Sequence, residues 1–305
     1  MKNLLEAIRP TTFIESEKLS TYLKADMTLV SETFQHTGSF KFRAAYNLAA
    51  SVAQDKILTA SSGNFGQALA FACHLLGKKC TIVMPETSAR VKIEGVKSYG
   101  ATVDLVDTKK IGRNERVAQL ALEMPDAYFA SAYDDPFVIE GNATLGDEIA
   151  SYRKEFDYVI SPVGGGGLSS GIVSGLCRNG VAAKVLGAEP ALANDAARSF
   201  RAGKIILNET EPMTLADGAR TISLGKHNWK ILEKGLADIL EVSEENITEG
   251  VRLLFSKANL KSEPTGALSL GAVLEKPEFF AGKKIACVVS GGNVDTEVYL
   301  RLLYS

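Results

Sequence analysis

Two hydrophobic periods alternate along the chain. Short, dense apolar runs predict buried strands, and the longer segments between them, apolar at every third or fourth position, predict helices. The alternation is clearest from Ile57 onward, with strands at Ile57–Ala60, Cys80–Met84, Thr102–Val106 and Tyr128–Ala130. Between them, helices are predicted over Phe65–Leu76, Ala89–Ser98 and Arg113–Leu122. Such a sequence of elements calls for right-handed crossovers and a parallel sheet with helices on both faces.

The flanking regions carry the same code. Upstream, Thr12–Ile14 and Met27–Val30 read as edge or buried strands, and a helix opens at Lys41 and runs through Ala49. Downstream come a helix over Val138–Ser151, a strand Tyr158–Val163, a small-residue helix Leu168–Cys177 and a strand Val185–Ala188. An amphipathic helix over 243–259, opened by Ser243, precedes the strand Ile285–Val289 and a last helix. Residues 51–133 are expected to form a small mobile domain inserted into a larger one made of 1–50 and 134–305.

Chemistry collects where strands hand over to helices. Ser61-Ser62-Gly63-Asn64, Gly164-Gly165-Gly166-Gly167 and Ser290-Gly291-Gly292-Asn293 each follow an apolar run and precede a helix, which places them at one edge of an open parallel sheet. Lys41 follows the turn Thr37-Gly38-Ser39-Phe40. A lysine there is either a solvated helix-start residue or, if desolvated, a nucleophile and proton carrier. Four glycines between a buried strand and a helix let backbone amides converge on a phosphate, to which the helix N-terminus adds a favourable dipole. A dinucleotide site is the rival, since Gly164, Gly166 and Ser169 nearly match its fingerprint, with Glu189 downstream. That rival leaves the Lys41, Asn64 and Ser290 stretches unexplained.

Taken together and in order, from about Gln35 to Asn293, these motifs resemble those of fold-type II pyridoxal-phosphate enzymes, in the group holding serine and threonine dehydratases (ammonia-lyases) and serine racemase. The resemblance implies an α/β fold of the tryptophan synthase β type: two open, mostly parallel twisted sheets with flanking helices and an active site between domains. It implies that Phe40, Lys41, Asn64, Gly164, Gly165, Gly166, Gly167, Leu168 and Ser290 bind pyridoxal 5'-phosphate. In that pattern Lys41 holds the cofactor as an imine, Asn64 faces its ring hydroxyl, and Ser290 faces its pyridine nitrogen. Ser61, Ser62, Asn64, Phe65, Arg113 and Asp217 match substrate positions, and Ser62 is also a candidate acid/base on the second face of Cα. Glu189, the Ala193 carbonyl and Asp195 match a divalent-cation site suited to Mg2+ or Ca2+; an acidic turn capping a helix is the alternative. Three positions depart from the pattern: Thr11-Thr12-Phe13 replaces a threonine-proline pair, Ala44 a glycine and Phe65 a histidine. The last makes a larger or less polar β-substituent plausible in the substrate.

Composition narrows the partners. With 34 basic and 36 acidic residues interspersed, the formal charge of −2 offers no field to recruit nucleic acid or anionic lipid. No stretch approaches the ~20 apolar residues of a membrane helix, and Glu6 and Arg9-Pro10 interrupt any signal-peptide core. Cys73, Cys80, Cys177 and Cys287 lie on apolar segments without paired spacing, which predicts buried thiols in a reducing cytoplasm. His36, His74 and His227 have no metal-ligand spacing and are expected at the surface or in packing. A small-molecule substrate and, by the resemblance, a homodimer follow. The expected reaction is ammonia loss from a small β-hydroxy amino acid, serine, threonine or 3-hydroxyaspartate. Serine or aspartate-type racemisation, β-replacement and non-catalytic binding are the alternatives.

Overall fold

The computed structural model describes residues 3–61, 63–88 and 90–304. Its strands are β1 (Thr12–Glu15), β2 (Asp26–Ser31), β3 (Lys56–Ala60), β4 (Lys79–Pro85), β5 (Thr102–Val106), β6 (Ala127–Phe129), β7 (Tyr158–Pro162), β8 (Lys184–Pro190), β9 (Leu236–Val242) and β10 (Lys284–Val289). They form a six-stranded sheet in the order β1-β2-β10-β7-β8-β9 and a four-stranded sheet in the order β5-β4-β3-β6. Every strand pairing is parallel except that of β1 with β2. The smaller sheet is drawn entirely from residues 56–129, within the segment expected to form the inserted domain.

Burial explains the dense apolar runs. Strands of a parallel sheet covered on both faces lose the in/out alternation of a half-exposed strand. Accordingly β10 is buried from Ile285 to Val289, and β2 from Met27 to Ser31. Two clusters pack the faces of the large sheet, one around Leu29, Leu254, Leu268 and Phe280, the other around Val30, Ile172, Leu232 and Val288. A third joins the helices Lys41–Ser51 and Asn64–Leu76 to the small sheet through Phe42, Leu48, Leu69 and Ile82.

Several elements carry no clear period. The helix Pro264–Glu275 is buried from Pro264 to Val273, so it has no polar face to mark it. Strand β9 and the helices Glu17–Leu23 and Lys226–Gly235 also go beyond the predicted set. Ser243 caps its helix as expected, its Oγ accepting from the Asn246 amide at 3.3 Å. The predicted helix start at Ala89 lies outside the described residues. Cys73, Cys80 and Cys287 are buried, but Cys177 is exposed at the end of the helix Gly167–Arg178, correcting the expectation of four buried thiols. His36 packs edge-on against Phe42, whereas His227 is exposed beside Asp134. Among the described residues, no helix is long and apolar enough to cross a membrane.

Candidate active site

Strand direction gathers the site. Because β2, β10 and β7 run parallel as neighbours, the segments following their C-terminal ends lie along one edge of the large sheet. Backbone bonds sew two of them together. The Phe40 amide donates to the Ser290 carbonyl at 3.0 Å, Gly292 to the Gly38 carbonyl at 3.0 Å, and Ser39 bridges Gly291. The loop after β3 reaches the same place, since Asn293 Nδ2 donates to Asn64 Oδ1 at 2.8 Å.

Lys41 sits at the centre. Its Nζ donates to the Ala132 carbonyl at 2.8 Å and lies 5.0 Å from the Phe40 ring centroid and 5.6 Å from that of Phe65. Burial lowers its pKa to about 8 against the opposing pull of the Glu263 carboxylate, so a substantial neutral fraction exists in mild base. The residue keeps some exposed surface, but its ammonium is desolvated.

The glycine loop adjoins this lysine through the segment Ala132–Tyr133. A Cβ on Gly165 would run into the Tyr133 ring, and one on Gly167 would meet the Tyr133 carbonyl at 2.8 Å. Gly166 has φ +91°, a left-handed conformation that side chains disfavour. The loop carbonyls are drawn outward: Gly165 O accepts from the Gly225 amide and from Asn228 Nδ2, and Gly167 O from Asn142 Nδ2. Among the described residues, the amides of Gly164, Gly165 and Gly166 donate to no protein atom. Leu168 is buried in the first turn of the following helix.

The remaining candidates divide. Ser61 Oγ accepts from the Gly66 amide at 3.0 Å, Phe65 is buried, and Ser62 lies outside the described residues. Asp217 is exposed and pairs with Lys92 at 3.6 Å, with the neighbouring Gly218 amide on Thr265 Oγ1 at 3.0 Å. Arg113 pairs with Glu211 at 3.4 Å. The cap expected of the Asn194-Asp195 turn comes instead from Glu189, which accepts from the amides of Ala196 and Ala197 at 2.9 and 2.8 Å, while Asn194 makes no side-chain cap bond. Asp195 Oδ1 accepts from Asn208, while its buried Oδ2 has no protein partner. Burial raises the pKa of both carboxyls, that of Asp195 to about 7.

Sequence reasoning passed over Glu263. Its carboxylate, only 5% exposed, accepts from Asn64 Nδ2 at 2.9 and 3.2 Å. Burial, reinforced by the charge of Asp217, raises its pKa to about 8. The available signal was a carboxylate immediately before the Pro264-Thr265-Gly266 helix start, the only acidic residue between Glu249 and Glu275.

The sequence profile of the family described as pyridoxal-phosphate dependent enzyme matches residues 4–291. The chain belongs to that family. It is 35% identical over 302 residues to an L-threo-3-hydroxyaspartate ammonia-lyase of Saccharomyces cerevisiae, covering 98% of this chain and 92% of the relative. It is also 35% identical over 297 residues to a serine racemase of Schizosaccharomyces pombe, covering 96% and 91%. Among solved structures, a threonine deaminase from T.th. superposes with a TM-score of 0.89 at 38% identity, covering 96% of this chain and 95% of that one. Maize serine racemase gives 0.91 at 29% identity, covering 99% and 93%.

The residues present fit the family's cofactor. Ser290 Oγ is buried without a protein partner, as a hydroxyl facing a ring nitrogen would be. The glycine loop offers free amides at a helix N-terminus, suited to a phosphate. Lys41 supplies a buried amine of lowered basicity, bonded to Ala132, whose neighbour Tyr133 lines the glycine loop.

Proposed function

We propose that the protein is a pyridoxal-phosphate-dependent ammonia-lyase that converts a small β-hydroxy amino acid, serine, threonine or 3-hydroxyaspartate, to a 2-oxo acid and ammonia. The observation that carries this reading is Lys41 Nζ, desolvated between Phe40 and Phe65 and weakened as a base to a pKa of about 8. When bound, the cofactor withdraws electrons from the substrate's Cα, so that the Cα proton and then the β-hydroxyl can depart. In this reading Lys41 would hold the cofactor and, as a free amine, would take the proton from the substrate's Cα. Gly164 to Gly167 and Leu168 hold the phosphate, Asn64 and Ser290 fix the ring, and Ser61 with the start of the helix Asn64–Leu76 receives the substrate carboxylate. Phe65 provides an apolar wall for the β-substituent. Closure of residues 51–133 over the substrate excludes water while Cα is deprotonated.

Two buried carboxyls, one with an unpartnered oxygen, support Mg2+ or Ca2+ at Glu189, Ala193 and Asp195. A homodimer in the cytoplasm completes the reading.

The test is 2-oxo acid formation from L-serine, L-threonine and both 3-hydroxyaspartate diastereomers, with Lys41→Ala as control. Product from at least one substrate, lost in the variant, is expected; product from none removes the lyase assignment. The 35% identity to a serine racemase favours racemisation as the second reading, with Ser62 reprotonating the face opposite Lys41. Inverted chirality in recovered substrate, exceeding oxo acid formed, would select it.

A further inference from the structure

Glu263 stands at the N-cap of the helix Pro264–Glu275, yet its side chain makes no capping bond there. It turns toward the site, and the molecule makes room for it: a Cβ on Gly291 would lie 2.5 Å from Glu263 Oε1. The Glu263 amide donates to the Gly291 carbonyl at 3.1 Å, fixing the backbone beside the Ser290 loop. From this place both carboxylate oxygens accept from Asn64 Nδ2. On the other side Asn64 Oδ1 accepts from Asn293 Nδ2, which also donates to the Thr37 carbonyl at 2.7 Å.

A side-chain amide has two faces of nearly equal shape, and only its partners decide which way it points. Once ionised, above about pH 8 in the cofactor-free protein, the Glu263 carboxylate accepts only and compels the NH2 edge toward itself, while the donor on Asn293 compels the oxygen edge the other way. We propose that Glu263 is a positioning residue that fixes the Asn64 amide, and with it the hydrogen-bonding edge that Asn64 presents to the cofactor ring. This rests on the cofactor role of Asn64 given above. Glu263 also places a carboxyl within electrostatic reach of Lys41, Lys92 and Asp217, so its form responds to charge on both sides of the cleft.

Glu263→Gln keeps the shape but can offer Asn64 either an oxygen or an NH2, so the Asn64 amide loses its enforced direction. In the cofactor-free protein held above pH 8, where Glu263 is ionised, the side-chain amide NMR signal of Asn64, assigned through Asn64→Ser, is expected to move in Glu263→Gln and to stay near its wild-type position in Glu263→Asp. In the reconstituted enzyme, Glu263→Gln is expected to shift the visible cofactor band and to lower kcat about 10- to 100-fold with less than threefold change in KM, the range for losing one charge-assisted hydrogen bond. Combined with Asn64→Ala, it should add little, because both changes remove one interaction. An unmoved Asn64 signal, or losses that multiply in the double variant, overturns the proposal. A wild-type protein that takes up no cofactor would instead defeat the functional reading, while the amide signal still decides whether Glu263 orients Asn64.

Discussion

Replacing Gly165 with alanine tests whether the glycine loop is a fitted cradle. The added Cβ would stand 2.5 Å from Tyr133 Cε2 and closer still to Cδ2 and Cγ. Carbon atoms pack at about 3.5–4.0 Å, so the ring or the loop must give by about an ångström or more. The ring has little freedom: its Cγ is fixed close to the backbone, and the Tyr133 carbonyl accepts from Asn228 Nδ2 at 3.0 Å. Nor can the loop retreat readily, with its Gly165 carbonyl bound by Gly225 and Asn228. Overpacking of this kind costs about 1–3 kcal/mol. At roughly 2–4 °C per kcal/mol for a large domain, the cofactor-free protein should melt about 2–12 °C lower. If the shift also misaligns one amide that would face the phosphate, cofactor affinity falls about 10- to 100-fold. The assay is a melting curve of the cofactor-free protein together with a fluorescence titration with pyridoxal phosphate. In a Tyr133→Ala background the clash is gone and the alanine should be far less harmful. Unchanged melting and affinity in Gly165→Ala, or an equal loss in both backgrounds, would refute the reasoning.

Three other perturbations follow from the same geometry. Arg43 is fully buried and holds Glu32 through Nε and Nη2 at 2.7 and 2.9 Å and Glu148 at 2.7 Å, so Arg43→Met strands the buried Glu32 carboxylate and should cost about 3–5 kcal/mol in urea unfolding; under about 1 kcal/mol would mean the network is dispensable. In the cofactor-free protein, folded Glu263 keeps a proton between pH 4.5 and about 8 that the unfolded chain releases, so its contribution makes stability fall as pH rises through that window; folded Lys41 lacks, between about 8 and 10.5, a proton the unfolded chain keeps, so its contribution makes stability rise there. Glu263→Gln should flatten the first limb in melting temperature against pH and, by removing the charge that supports the Lys41 ammonium, move the second limb to lower pH; superimposable profiles would contradict the assignment. Finally, Mg2+ or Ca2+ at a hundredfold excess over the dissociation constant should stabilise the protein by about 2.7 kcal/mol, seen as a melting temperature raised reversibly with chelator, and Asp195→Asn should abolish the gain; equal response in the variant would move the ion elsewhere.

Much of this site was legible because parallel-sheet topology translates sequence order into position. Lys41, Asn64 and Ser290 each follow an apolar strand, and the structure links their segments by direct hydrogen bonds. The strand at Leu236–Val242 was not legible: its polar residues interrupt the apolar run without regular alternation. Pro264–Glu275 was obscure for the opposite reason, being apolar or small on every side. Missing that helix also hid Glu263, whose meaning depends on reaching Asn64 from 199 positions away. Glu189 shows a different limit, because the spacing that admits a cation ligand also brings its carboxylate onto the amides of Ala196 and Ala197.

The most direct test of the central claim is to load the protein with pyridoxal phosphate, reduce it with borohydride and map the modified peptide by mass spectrometry. The account predicts a stable pyridoxyl group on Lys41 alone, and none anywhere in Lys41→Ala. Modification of a different lysine, or no specific modification after saturation with cofactor, would contradict the assignment of Lys41 as the residue around which the site is built.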